Sequence, residues 1–335
     1  MNLHLVLFGD KNYSIGKDRI RRQAEGFGVF KSIQEFSEDD LTGDFWENHA
    51  KKMMMPRVGM PDRFYGYYAC KPYFVGKALR NIPKGDVLLY VDSGCELNKN
   101  GMKMMEQYYN ECLENNGVFF SLNLPEIQWT KMDTYRHIVG PDDTHMVTRQ
   151  IISGIFFMQH NPIMIEIVDK WKELCIEDGG RYLDDSPSLL EDHHIFNENR
   201  HDQSILSLMM KIYSQYNDFT FHEDHTFEVI WDAAGVTGVP VGTAQAKIWN
   251  TYGKDYPIWA TRNGKIAFTN CEALNWPEFN ANETPPSMGP SFLNFVSFGI
   301  GDETNDGGQP TMETTVETRL NLSERFEINQ STISL

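Results

Sequence analysis

Cysteine is scarce. Five (Cys70, Cys95, Cys112, Cys175 and Cys271) are scattered over 335 residues, with no Cys-x-x-Cys pair. An odd, dispersed set argues against a disulfide framework or a zinc ribbon, and for a reducing compartment. Positive charge is also short, with 30 Lys+Arg against 47 Asp+Glu and a formal net charge of −17. A field of that sign repels nucleic acid and anionic membrane, so neither is expected as a partner. It repels an anionic small substrate too. A diphosphate ligand would need local help from a cation, a lysine or a helix N-terminus. Long apolar runs are missing: no window approaches the about 18 residues of a membrane span. The opening MNLHLVLFGDKNYS turns polar too soon for a signal peptide. No integral membrane segment is expected, and no internal repeat is visible.

What is present is enough hydrophobic sequence, 41% with 13% aromatic, to build a sizeable core. Residues 3–8 (LHLVLF) read as a strand, about 13–25 as a helix and 29–36 as a second strand, a β-α-β opening. A short helix is expected around 44–54 and another over 71–80. The run Val87-Leu88-Leu89-Tyr90-Val91, bounded by Gly85-Asp86 and Ser93-Gly94, suits a central strand buried on both faces. A helix over 100–114 follows, with Asn100 as candidate cap and Gly117 as its stop. Strands over 118–123 and 151–158 come next. Asn161-Pro162 starts a helix to about 176. The segment from His201 to Tyr216 carries Ile205, Leu208, Met209 and Ile212 at helical spacing on one face, and 219–223 reads as a last strand. After about residue 270 the composition turns to Asn, Glu, Thr, Pro and Gly. The expected organisation is one α/β domain over 1–270 and a partly irregular C-terminal extension over 271–335.

Ligands of open α/β sheets sit at the carboxyl ends of strands. There the strand over 87–91 delivers Asp92-Ser93-Gly94-Cys95-Glu96. An acid at that point can hold a divalent cation, which can neutralise a diphosphate leaving group, and Gly94 lets backbone come close to a ligand. Taken alone, the acid is as readily a capping aspartate. His201-Asp202-Gln203-Ser204 opens an amphipathic helix, where a carboxylate can simply cap free N–H groups. Ser153-Gly154 breaks an apolar strand, as bulges and close backbone approaches do. Glu126-Ile127-Gln128-Trp129-Thr130-Lys131 also follows a strand end.

In this order the elements resemble GT-A glycosyltransferases, whose glycogenin-like and galactosyl- or xylosyltransferase families carry Asp-x-Asp, Asn-Ser-Gly-like and Asp-Gln elements. The chain is more closely similar to GT-A-type proteins of bacteria and large viruses. The matching residues are Gly66-Tyr67 with Lys71-Pro72-Tyr73, Gly85 to Glu96, Trp129–Lys131, His201–Ser204 and Trp259–Arg262, across about residues 3–265. The resemblance implies a GT-A-like (Rossmann-like) mixed sheet flanked by helices. It implies transfer of a hexose or pentose from a nucleoside diphosphate sugar to a glycan or other hydroxyl acceptor, with retention at the anomeric carbon. It places Phe8, Gly9, Asp10 and Tyr13 near the base and ribose, and Lys71, Asp92, Ser93 and Gly94 near the diphosphate. Ser153, Gly154, Trp129, Lys131 and His201 fall at the sugar or acceptor, and Asp202 and Gln203 at the reacting carbon. A cofactor Mn²⁺ or Mg²⁺ would sit on Asp92. Gly94 replaces the second motif acid, which leaves Glu96 as substitute ligand or a metal held weakly or not at all. The His-x-x-Gly-x-x-Lys-Pro-Trp element of glycogenin-like enzymes is missing, and Ala69 stands where the closer relatives often carry Trp. The implied location is cytoplasmic, in the host cytoplasm for a viral chain.

Other features have plainer readings. His193, His194 and His201 with Asp192 match no standard zinc spacing. Arg19, Arg21 and Arg22 read as a solvated helix face. Met53–Met55 reads as core filling. The aromatics between 64 and 74 are equally core or a stacking wall. If the chemistry inverts instead, Asp202 or Asp133 would have to act as base. Two other functions remain open. A sugar nucleotidylyltransferase would want a glycine-rich, basic first loop, and Gly9-Asp10-Lys11-Asn12 is poor in glycine. A non-catalytic glycan- or nucleotide-sugar-binding or virion-associated protein would bind without turnover.

Overall fold

The structure, a computed structural model, describes residues 1–53, 65–223, 230–232, 235–237 and 255–260. All lie in the first of two compact units, Met1–Ser287, the second being Met288–Leu335. The expected boundary near 270, the side chains of Met53–Met55, and Thr261 and Arg262 lie outside the described residues.

The strands are β1 (Leu3–Phe8), β2 (Phe30–Phe36), β3 (Val87–Asp92), β4 (Glu96–Leu97), β5 (Gly117–Pro125), β6 (Arg149–Gln159), β7 (Thr220–Glu223), β8 (Ile230–Asp232), β9 (Gly235–Thr237) and β10 (Ile258–Trp259). The α-helices are α1 (Ser14–Phe27), α2 (Lys51–Met53, continuing a π-helical Phe45–Ala50), α3 (Tyr65–Asn81), α4 (Met102–Glu114), α5 (Glu126–Trp129), α6 (Met132–Val139), α7 (Pro162–Ile176) and α8 (Asp202–Tyr213). Six strands form one sheet in the order β2-β1-β3-β6-β5-β7. β1 is parallel to both β2 and β3, and β7 is parallel to β5. β6 runs antiparallel between β3 and β5. The chain is therefore an α/β fold with a mixed sheet flanked by helices, as expected.

Strand alternation divides the core between the two faces. Leu3, Leu5 and Leu7 of β1 and Val87, Leu89 and Val91 of β3 pack with Ile20 of α1 and Tyr108 of α4. Val6 and Phe8, with Leu88 and Tyr90, pack on the other face with Phe74 of α3, Trp171 of α7 and Leu206 of α8. Both faces of the central strands are covered, which is why they read as continuous apolar runs. Asp92 is two residues beyond Tyr90, so it shares the face of α3, α7 and α8.

Three local differences from the sequence reading have physical reasons. Lys71-Pro72 looks like a first helical turn, yet α3 starts at Tyr65 and runs through Pro72. Packing of α3 with Phe74, Val75, Ala78 and Leu79 all buried outweighs the about 3 kcal/mol of an internal proline. Asn100 does not cap α4. Asn98 caps the preceding 3-10 turn by accepting from the Asn100 N–H at 3.1 Å, while Gly101 stands at the α4 N-cap. Asn161 does cap α7, its side chain accepting from Met164 N–H at 3.0 Å with Pro162 behind it. Arg19 is no solvated residue: it is fully buried, with Nη2 donating to the Cys95 carbonyl at 2.8 Å. Arg21 keeps the expected exposed face, paired with Asp18, Glu25 and Glu35.

Candidate active site at the carboxyl end of the central strand

Four elements converge at the end of β3. The Lys71 ammonium of α3 lies 2.9 Å from Asp202 Oδ2 of α8 and 3.4 Å from Asp92 Oδ1 of β3, and donates to Ser153 Oγ of β6 at 3.0 Å. The Ser153 contact is a hydrogen bond, and the two carboxylates hold the ammonium as ion pairs. Tyr90 donates its hydroxyl to Asp92 Oδ1 at 2.8 Å, and its ring lies 5.5 Å from the Lys71 ammonium. Burial by itself would lower the Lys71 pKa. The carboxylates of Asp202 and then Asp92 outweigh it and hold the ammonium charged, well above the usual lysine range. Burial, followed by the Asp92 charge, pushes the Tyr90 phenol far up, so it stays a donor.

Gly154 explains how Asp92 fits. A Cβ placed on it would meet Asp92 Oδ2 at 2.6 Å, well under any ordinary contact. The Ser-Gly break is also a bulge: between Phe119↔Phe156 and Ser121↔Ile151 the ladder advances two residues on β5 and five on β6. The extra β6 backbone carries Ser153 to Lys71 and opens room for Asp92. On α8, Asp202 spends its carboxylate on Lys71 rather than on capping, and its carbonyl accepts from the buried Trp171 Nε1 at 3.0 Å. His201 precedes it at φ 57°, ψ −125°, a conformation that costs a non-glycine residue about 1–3 kcal/mol. It is held there by its Nδ1 on the Leu183 carbonyl at 2.8 Å and by stacking on Tyr68, centroids 4.5 Å apart.

The first-loop residues border the same end of the sheet. Phe8 is paired in register with Asp92. A Cβ on Gly9 would come within 3.1 Å of Ser93 Oγ and of Tyr13 Cβ. Asp10 accepts from Asn12 N at 2.8 Å and caps a 3-10 turn, and Tyr13 is exposed. Ser93 is buried and Gly94 half-buried. Phe8 needs correction: its ring is packed against Phe74, centroids 4.9 Å apart, inside the core, where a nucleobase does not stack.

Three further expectations are corrected. Lys131 is buried with its ammonium on Asp184 Oδ1 at 3.2 Å, the Asp184 carbonyl at 3.1 Å and the Ser186 carbonyl at 3.3 Å. It ties down a loop. Trp129 is buried beneath the Arg200 guanidinium, 4.2 Å from its ring centre. Glu96 is wholly buried on β4, opposite Trp259 of β10. That burial gives no support to Glu96 as a ligand beside the one-third-exposed Asp92. Among the described residues no group of three metal-ligating side chains occurs. His193 and His194 stack on each other, and Asp192 accepts from Met132 N and Ser188 Oγ. Asp92 itself remains about one-third exposed, its Oδ1 turned to Lys71 and Tyr90. One accessible carboxylate fits a cation shared with a ligand's phosphates, the usual mode for Mg²⁺, and does not fit a cage made by protein alone.

Asp133, the other acid considered as a base, accepts from Arg181 Nη2 at 2.6 Å and from the Leu189 and Leu190 N–H groups. Burial would raise its pKa, but these bonds outweigh it and hold the carboxyl below the usual aspartate range. The sequence gives Tyr90, Glu126 and Gln150 no role of their own. Tyr90 is signalled by its position two residues before Asp92, Glu126 opens the marked Glu126–Lys131 segment, and Gln150 stands three residues before the Ser153-Gly154 break.

No family model matches the chain, and no curated protein does. Solved structures do resemble it. A glycosyltransferase involved in glycosylation of the major capsid of PBCV-1 is 10% identical, covering 76% of this chain and 92% of that one, with a TM-score of 0.40. Mouse xyloside xylosyltransferase 1, in its apo form, is 12% identical, covering 77% and 97%, with a TM-score of 0.38. A putative glucose-1-phosphate thymidylyltransferase from Bacillus anthracis, in complex with a sucrose, is 11% identical, covering 66% and 86%, with a TM-score of 0.31. At these scores the likenesses carry no weight in assigning chemistry to this chain.

Proposed function

We propose that the chain is a glycosyltransferase that moves a sugar from a nucleoside diphosphate sugar to an acceptor hydroxyl. The observation that carries this reading is the Asp92–Lys71–Asp202 cluster, built by β3, α3 and α8 at the carboxyl end of the central strand. With both carboxylates ionised its net charge is −1. A preorganised negative site of that kind stabilises positive charge, such as that on an oxocarbenium-like anomeric carbon. The same charge repels a diphosphate. A Mn²⁺ or Mg²⁺ held by Asp92 and the donor's own phosphates would neutralise the departing group.

Lys71 then holds Asp202 in place, rather than gripping phosphate as the resemblance implied, because it is buried and ion-paired within the protein. Retention is favoured over inversion on the same ground. Inversion needs a free general base, and both candidate bases, Asp202 and Asp133, are bound to cations. Gly9, Asp10, Tyr13, Ser93 and Gly94 would border the nucleotide, and Ser153, Gly154, His201 and Gln203 the sugar.

The test is calorimetric titration with UDP, GDP, ADP, CDP and TDP and their common sugars, with and without Mn²⁺, on wild type and Asp92→Ala. Selective binding of one base that Asp92→Ala weakens by at least about tenfold supports the reading. Absence of binding under every condition sinks it. Tight binding with no sugar released or transferred turns it into a binding protein.

A further inference from the structure

Behind Ser153 runs a buried polar chain that ends in a second ion pair. Glu126 is fully buried, with Oε1 2.6 Å from the Lys211 ammonium and bonded to Ser207 Oγ. Its Oε2 accepts from Thr130 Oγ1 and, at 3.2 Å, from Gln150 Nε2. Gln150 is also fully buried, and its Nε2 donates to the Trp129 carbonyl at 3.2 Å. Its Oε1 accepts from Gln203 Nε2 at 2.6 Å. Gln203 Oε1 accepts from the Ser153 backbone N–H at 3.4 Å, and Ser153 Oγ accepts from the Lys71 ammonium at 3.0 Å.

An amide side chain can be flipped end for end, and its neighbours decide which way it points. Here both ends of the chain allow one answer. A carboxylate and a carbonyl can only accept, so Gln150 must present its NH₂ to Glu126 and Trp129. Its oxygen then faces Gln203, which must donate. A backbone N–H can only donate, so the Gln203 oxygen must face Ser153. We infer that Glu126 and Gln150 are positioning residues. The Glu126 carboxylate, held by Lys211, orients the Gln150 amide together with the Trp129 carbonyl, and Gln150 with the Ser153 N–H orients Gln203 and through it the Ser153–Gly154 bulge against Lys71 and Asp92. Glu126 and Gln150 act from behind the cluster, so their part in donor binding rests on the glycosyl-transfer reading, while the fixed orientation does not.

The experiment uses the full chain without ligand. Side-chain amide ¹H–¹⁵N spectra and their hydrogen exchange are recorded for wild type, Gln150→Met and the double variant Glu126→Met/Lys211→Met, with thermal unfolding in parallel. The double variant replaces the ion pair by apolar side chains of similar size, a change that is often neutral for stability. Expected is a folded double variant with a lowered melting point, since Ser207, Thr130 and Gln150 lose an acceptor, and with displaced Gln203 amide resonances. Gln150→Met is expected to speed exchange of the Gln203 amide protons about fivefold, the factor for one net hydrogen bond lost. UDP and GDP titrations on the same variants should show weakened binding wherever those resonances move. A folded double variant whose Gln203 resonances and exchange match wild type overturns the inference, whatever the nucleotides do. If no nucleotide binds even wild type but the resonances move as stated, the positioning role stands and the glycosyl-transfer reading falls.

Discussion

Lys71 and Lys131 are both buried, and each lies against an aspartate from a distant part of the chain, yet their protonation is pushed in opposite directions. Burial lowers the Lys131 pKa, and the carboxylate of Asp184, with a lesser pull from Asp133 opposed by Arg181, does not offset it. Lys71 faces two carboxylates and ends above the usual range. The surroundings differ in the same way. Side-chain exposure is 2% and 3% for Lys131 and Asp184, whereas Asp92 beside Lys71 is 34% exposed. The first pair is a closed clamp on the 184–186 loop; the second has a face on which a ligand can act. A buried ammonium therefore says little until its carboxylates are counted and one is seen to reach solvent.

The largest effect should come from Lys71→Met. It leaves two carboxylates facing each other and should cost about 4–5 kcal/mol, against roughly 3 for Lys131→Met, where Asp184 keeps other donors. Urea denaturation of both variants decides it, and equal losses would break the comparison.

Gly154→Ala sharpens the ligand side. Its new Cβ would meet Asp92 Oδ2 at 2.6 Å. It should cost about 1–3 kcal/mol by overpacking and weaken nucleotide binding more than it lowers the melting point. Unchanged binding would remove Asp92 from the site.

The clamp region should show itself in acid. Asp133 has a lowered folded pKa, so its contribution is present above the unfolded value of 3.8 and is lost as pH falls through the folded one. Asp133→Asn should flatten the fall of stability below about pH 4, measured as urea midpoints between about pH 2 and 6. The smallest effect is a control far from both clusters. A Cβ on Gly26 of α1 meets nothing within 4 Å, so Gly26→Ala should raise stability by about 0.4–1 kcal/mol.

The two regions were unequally legible. Apolar runs bounded by turn residues marked β1, β3 and β6 because strands buried on both faces have no polar side to disguise them. Asp92, Ser153-Gly154 and Asp202 were singled out for chemistry at strand and helix ends. Lys131, Trp129, Glu96 and Phe8 carried the same kind of local signal and proved to be interior. Polar residues near a strand end look alike in sequence whether they face solvent or a packed loop. Glu126 and Gln150 stand in marked segments, but nothing in the sequence links them to each other or to Gln203, since a buried hydrogen-bonded chain has no fixed spacing.

By itself the sequence determined the α/β alternation, the central place of Val87–Val91, and the acid at its end. These follow from hydrophobic periodicity and turn chemistry, which act over a few residues. Tertiary structure alone decided that β6 runs antiparallel beside β3, that its bulge makes room for Asp92, and that Lys71 pairs with Asp92 and Asp202 and donates to Ser153. Those partners lie tens of residues apart or more, and only packing the helices onto the sheet brings an ammonium and two carboxylates close enough for their charges to set one another.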